Sequence, residues 1–137
     1  MARDFVELPS QINENWSLQP ELLKEYALHY QTGEVIPQEL VDKLNATRTF
    51  NQGFTTTELC GASILDMKWH CLSEIPQEAF DNPAKWVAEK ESQFCKEMGI
   101  NDEIIPRYRT TYFNHIFNSG YSAGYYSYLW AEVLDKD

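Results

Sequence analysis

Chemistry in this chain has to come from few residue types. The three histidines, His29, His70 and His115, lie far apart, and none belongs to an H-E-x-x-H pair, so no local two-histidine zinc site exists. Cys60, Cys71 and Cys95 are odd in number and show no C-x-x-C spacing; they read as reduced, buried thiols rather than a disulfide framework or zinc ligands. The more informative set is Tyr121, Tyr125 and Tyr128, which fall at i, i+4 and i+7 and predict phenols on one side of a helix. A phenol of pKa about 10 is still a proton donor at neutral pH. Core packing uses such a stripe equally well. Glu7, taken alone, is one of 21 acidic residues.

The elements that must position these groups read as helix after helix. Phe5, Leu8, Ile12 and Trp16 step by three and four opposite a polar stripe of Asp4, Glu7, Gln11 and Glu14, with a kink or restart expected at Pro9. Pro20 opens a second helix running to a stop at Gly33, and Pro37 opens a third through Leu44. The pattern loosens around Asn51-Gln52-Gly53 without requiring a break, and helical periodicity resumes from Thr56 or Thr57 to Leu72. Ala84 to Met98 reads as an amphipathic helix capped by Gly99. Arg109 to Phe117 and Tyr121 to Asp135 are two further candidates, joined by Asn118-Ser119-Gly120. No long stretch alternates with period two. The expected fold class is therefore all-α, an irregular array of about six helices with no substantial sheet. Its expected core comprises Trp16, Phe54, Leu65, Trp69, Tyr112, Tyr126, Leu129 and Trp130.

Length and composition exclude several classes. The 137 residues have room for a single domain, taken as 1–137. Eleven Lys and Arg against 21 Asp and Glu leave a net charge of −10, which argues against binding nucleic acid through phosphates. With 43% hydrophobic and 14% aromatic residues, the chain is a folded one rather than a disordered acidic tail. No apolar run approaches the about 20 residues that cross a bilayer, and no targeting signal is visible. A cytoplasmic protein without a membrane partner is the expectation.

Four segments carry a more specific signal. They are Arg3-Asp4-Phe5-Val6-Glu7-Leu8-Pro9-Ser10-Gln11 with Asn15-Trp16, then Phe50-Asn51-Gln52-Gly53-Phe54, then Ile64-Leu65-Asp66-Met67-Lys68-Trp69-His70, and last Arg107-Tyr108-Arg109 through His115 to Tyr121-Ser122-Ala123-Gly124-Tyr125-Tyr126-Ser127-Tyr128-Leu129-Trp130-Ala131-Glu132. In that order and at those distances, over essentially the whole chain, they resemble the thimet oligopeptidase family of zinc metallopeptidases, and most closely its peptidyl-dipeptidase (dipeptidyl carboxypeptidase) branch.

The resemblance implies a C-terminal part of a larger, mainly helical catalytic domain whose H-E-x-x-H helix would lie shortly before Met1. Two histidines of that helix and one downstream glutamate bind zinc, and Glu7 matches the glutamate. A carboxylate suits this place as a hard anionic third ligand that leaves a fourth position open. Asp4 and Glu14 share the polar face and are candidates to orient ligands. His115, Tyr121 and Tyr128 match catalytic positions that bind substrate and steady the tetrahedral intermediate, with Tyr125 and Gly120 as substrate-binding neighbours. Relatives usually carry consecutive glycines before the first tyrosine, whereas Asn118 and Ser119 precede a single Gly120 here.

The implied activity is hydrolysis of short peptides, with release of C-terminal dipeptides, in concert with the remainder of the parent enzyme; the 137-residue chain alone is expected to be inactive. The alternative is a non-catalytic helical interaction module, and an H-E-x-x-H motif encoded upstream of Met1 would decide against it. Apolar faces left open in the isolated chain also suggest a homodimer.

Overall fold

The computed structural model describes residues 1–137 as eight α-helices and two short 3₁₀ turns, with no strand. The helices are α1 (Leu8–Ser17), α2 (Pro20–Tyr26), α3 (Gln38–Thr47), α4 (Gln52–His70), α5 (Gln77–Asp81), α6 (Pro83–Met98), α7 (Asn114–Phe117) and α8 (Ser127–Lys136). The 3₁₀ turns are Arg3–Phe5 and Thr110–Tyr112. None of the helices is long and apolar enough to cross a membrane.

Punctuating residues act where their chemistry directs. Pro9 restarts the chain as α1, sitting in the first turn, where its missing N–H has no helical partner to lose. For α6 the Asn82 side chain accepts from the Lys85 N–H at 3.3 Å, Pro83 occupies the first turn, and Gly99 ends the helix at φ +69°. Asn51 adopts φ +53° immediately before α4, which starts at Gln52 rather than at Thr56 or Thr57 and carries Gly53 in its first turn without a break. The second helix stops at Tyr26, short of Gly33: Leu28 and Val35 form an isolated antiparallel bridge, and His29 N–H donates to the Glu34 carbonyl at 2.8 Å.

The largest departure concerns the tyrosines. The helix expected from Tyr121 begins only at Ser127; residues 122–126 are turns, and Ala123 stands at φ +52°. Helical spacing therefore does not align Tyr121 and Tyr125 with Tyr128. Their approach is a tertiary effect.

The core centres on α4, α7 and the tyrosine turn. Ala62, Phe113, Ile116 and Tyr125 form its buried cluster, with Leu59, Trp69, Tyr108, Tyr121 and Tyr128 packed around them. Leu65, Phe113 and Ile116 are fully buried, each contributing about 1.5–3 kcal/mol by leaving water. Of the expected core, Leu65 is buried and Trp69 half-buried, its ring edge-on to Phe94 at 5.2 Å. Leu129 is half-buried. Trp16, Phe54, Tyr112, Tyr126 and Trp130 are instead exposed, because no other element of the chain covers the apolar faces to which they belong.

Two buried carboxylates tie loops to this core. Glu91 on α6 accepts the Thr110 N–H at 2.6 Å and pairs with Arg109, while Trp69 Nε1 donates to Thr110 Oγ1 at 2.8 Å. Asp66 on α4 accepts N–H groups from the tyrosine turn. The chain ends meet where α1 packs along α8: Gln11 Nε2 donates to the Tyr128 carbonyl at 3.0 Å, and Asn15 bonds Asp135.

Candidate active site

The first site residue is set by α1. Glu7 is the residue capping the N-terminus of that helix, where the helix dipole favours negative charge. Ser10, one turn on, lies with Oγ 2.8 Å from the Glu7 carbonyl and 3.1 Å from Oε2, donating into this pair of acceptors. The other carboxylate oxygen accepts from Tyr121 Oη, 114 residues away in sequence. Hydroxyls thus orient both oxygens, and no Lys, Arg or His forms an ion pair with them.

Among the tyrosines, Tyr121 alone bonds this carboxylate, and the others pack behind it. Tyr121 and Tyr128 lie with ring centroids 5.5 Å apart and planes 10° from parallel. Tyr125 packs 5.0 Å from Tyr128 on the inner side and is 2% exposed, so it is the core member of the trio. Burial, then the neighbouring Tyr121 phenol and the Glu7 charge, pushes the Tyr128 phenol well above its ordinary value. Burial and the Glu7 contact raise Tyr121 as well. Both groups are consequently donors across the physiological range.

His115 closes the cluster. Its ring lies 5.8 Å from Tyr121, 5.5 Å from Tyr125 and 6.3 Å from Tyr128, with Tyr108 5.0 Å away on another side. Its Nδ1 is buried without a hydrogen-bond partner, an uncommon state for a polar atom in a folded core. Gly120 adopts φ +80°, and a Cβ there would stand 2.9 Å from the Arg3 guanidinium, which lies 4.9 Å over the Tyr121 ring. The left-handed backbone favours glycine at 120, while the long Arg3 side chain could yield to a Cβ there.

The structure therefore brings together Glu7, His115, Tyr121, Tyr125 and Tyr128, with Gly120 at the edge. Asp4 accepts from Tyr126 Oη at 3.1 Å, outside the Glu7 carboxylate's contacts. Nowhere in the chain do three or more His, Cys, Asp or Glu side chains gather as a metal site would require. Sequence reasoning missed Arg3, Gln11 and Asp66 as members of this neighbourhood. Arg3 and Gln11 lie in the same motif as Glu7; Asp66 had no signal beyond its place in the Ile64 to His70 segment.

Comparison with known proteins follows the same residues. The profile of Peptidase family M3 matches residues 1–137. The chain is 46% identical over 135 residues to the dipeptidyl carboxypeptidase of Escherichia coli, 38% over 141 residues to an organellar oligopeptidase A of Arabidopsis thaliana, and 37% over 134 residues to oligopeptidase A of E. coli. Each match covers 98% of this chain but only 16–19% of the relative.

Proposed function

The chain belongs to Peptidase family M3, and from that membership we propose that it is the part of a zinc-dependent peptidase that supplies one metal ligand and the groups that bind substrate and stabilise its transition state. The observation carrying this reading is the convergence of Glu7 with Tyr121, Tyr128 and His115 across 114 residues of sequence. Core packing alone has no use for a carboxylate capped by two hydroxyls, nor for a buried imidazole nitrogen left unpaired.

Glu7 fits one arm of a metal site: it is anionic, half-buried, oriented by Tyr121 and Ser10, and free of ion pairing. The other ligands belong to the remainder of the peptidase. Zinc held there supplies Lewis acidity.

This chain's own residues do the rest. Tyr128 donates its phenolic proton as a hydrogen bond to the oxygen of the scissile carbonyl as charge develops on it, and desolvation strengthens that bond; Tyr121, stacked beside it, gives its own proton to Glu7 and would turn to the same oxygen only by releasing that carboxylate. His115 supplies a further ring nitrogen to the same oxygen or to the substrate backbone. Gly120 stands at the edge where the peptide lies, whereas Tyr125, expected to bind substrate, is buried in the core and supports Tyr128 from behind. The substrates are short peptides, and identity to the E. coli dipeptidyl carboxypeptidase favours removal of C-terminal dipeptides. A cytoplasmic location fits this reading, with no role for nucleic acid or a lipid bilayer.

The test is metal content. In the full-length peptidase, Glu7→Ala should strip the zinc that the wild type retains through dialysis, because neutral ligands alone hold it more weakly. Stoichiometric zinc at nanomolar affinity in that variant would remove Glu7 from the ligand set. The 137-residue chain by itself should hydrolyse no short peptide above background; a chelator-sensitive rate restored by zinc would favour a self-sufficient site.

A further inference from the structure

Tyr121 and Tyr128 are delivered to Glu7 by a turn that ought not to hold itself. Residues 122–126 make no regular helix, and Ala123 sits at φ +52°, a left-handed conformation that costs a residue with a Cβ. What opposes that cost is Asp66. Its side chain is completely buried; Oδ1 accepts the Ala123 N–H at 2.9 Å and Oδ2 the Tyr125 N–H at 2.9 Å, across 57 and 59 residues. Inward N–H groups two residues apart in a turn form a small anion-binding concavity, and here the anion is a side chain of the same chain. His70, one helical turn on from Asp66, places Nδ1 2.8 Å from Oδ1 and 2.9 Å from the Asp66 carbonyl. Within the turn, Gly124 N–H reaches the Tyr121 carbonyl at 2.8 Å and Ser122 Oγ reaches the Ile116 carbonyl at 2.6 Å.

We propose that Asp66, backed by His70, is a positioning residue for catalysis: its carboxylate clamps the Ala123 and Tyr125 amides and so fixes the Tyr121 and Tyr128 phenols against Glu7. This rests on the functional reading above and deepens it. Asp66 touches neither substrate nor metal ligand. It acts through the turn, so its loss should misplace the donors while leaving metal and ground-state binding in place. A displacement of the order of 1 Å is enough to cost about 10²-fold in rate.

The experiment compares Asp66→Asn, the double variant Asp66→Asn/Ala123→Gly, and the wild type, all as full-length peptidase, by zinc content, kcat and KM on a short peptide, and hydrogen exchange of the backbone over 118–128. An Asn oxygen still accepts one N–H but leaves the other facing an amide donor. The expected result is kcat down about 10²-fold with KM and zinc held and faster exchange over 121–126. Glycine at 123 adopts the left-handed turn without the clamp, so the double variant should regain part of the lost kcat. Wild-type kcat in Asp66→Asn would overturn the proposal; so would loss of kcat together with zinc that the glycine does not repair, since that is general destabilisation. If Asp66→Asn does not fold, His70→Leu decides: a lowered kcat at unchanged KM supports the clamp, and an unchanged kcat overturns it. A wild-type peptidase without zinc-dependent activity would sink the functional reading instead, and unaltered exchange over 121–126 in Asp66→Asn would then overturn the clamp separately.

Discussion

Between Gln19 and Phe50 the chain buries only Leu23 and Val41, and leaves Leu22, Tyr26, Leu28, Tyr30, Val35, Leu40, Leu44 and Phe50 in solvent. Between Arg107 and Ala131 it buries Thr110, Phe113, Ile116, Tyr125, Ser127 and Ala131, even though Tyr112, Phe117, Tyr126 and Trp130 stay exposed. Both stretches are rich in large apolar side chains; they differ in what their backbones are tied to. In the first, the turn at 27–36 is held by its own near neighbours: Ile36 N–H to the Ala27 carbonyl, Gly33 N–H to the His29 carbonyl, Thr32 to Glu34. In the second, Glu91 and Asp66 reach in from α6 and α4 to hold backbone N–H groups at positions 110, 123 and 125. Apolar area alone packs a surface, whereas a buried carboxylate on two amides sets the position of a turn.

The comparison breaks first at catalysis. In the full-length peptidase, Tyr128→Phe should keep zinc and lower kcat by about 10²-fold to 10³-fold, whereas Tyr30→Phe, 87% exposed in the other stretch, should leave both unchanged. Full kcat in Tyr128→Phe would deny Tyr128 its donor role.

Stability separates the two stretches next. Glu91→Ala strips the Thr110 N–H and Arg109 of their partner in a buried setting and should lower unfolding stability by about 1–3 kcal/mol. Glu39→Ala removes an i,i+4 pair with Lys43 whose side chains are 78% and 66% exposed, and denaturant unfolding should barely register it. Equal midpoints for the two variants would erase the distinction drawn between anchored and unanchored regions.

Alkali gives a smaller, signed effect. Burial, followed by the nearby Tyr108 phenol, pushes the Tyr125 phenol far above its ordinary value of about 10. Because the folded value is raised, the contribution is complete below about pH 10 and is lost as pH climbs toward the folded value, where the unfolded chain has already released its proton. Thermal unfolding should therefore fall more gently above pH 10 in Tyr125→Phe than in wild type; parallel declines would mean that the phenol is not desolvated.

The smallest expected effect is association. The isolated 16.0 kDa chain exposes Trp16 and Trp130 at about half of their surface, together with the open faces of α2 and α3. Self-association to a homodimer is the expected outcome in 0.15 M salt, where charges are screened beyond about 8 Å. Light scattering that returns only monomer at high concentration would show these faces to be tolerated in water.

Much of this was legible along the chain, and for reasons of range. Helix α6, expected from Ala84 to Met98, begins one residue earlier at Pro83, and it could be read because Gly99 and its apolar spacing act within a few residues. Pro9 worked in the same local way. The candidate site residues were legible through the resemblance of their segments to a peptidase family, and the structure places Glu7, His115, Tyr121, Tyr125 and Tyr128 in one cluster. The route by which the tyrosines meet was not legible. Periodicity over Tyr121, Tyr125 and Tyr128 looked helical, and an acceptor on α4 decided otherwise. Nothing in the sequence marks which of 21 acidic residues will be desolvated, so Asp66 and Glu91 stayed invisible until the helices were packed. The expected core erred similarly: Trp16 and Trp130 do sit on apolar faces, and periodicity does not say which such face finds a partner.

The bonds from Glu7 to Tyr121, Gln11 to Tyr128, Asp4 to Tyr126 and Asn15 to Asp135 join residues 114 to 122 positions apart. Ribosomes add about 5–20 residues each second, so on the order of ten seconds separate the birth of Glu7 from that of its phenol partner. During that interval α1 has nothing to pack on from α8. The cluster around Glu7 is consequently a late product of folding, assembled only after the closure of a loop spanning nearly the whole chain, and a nascent chain halted before Tyr121 carries a carboxylate with no cluster around it.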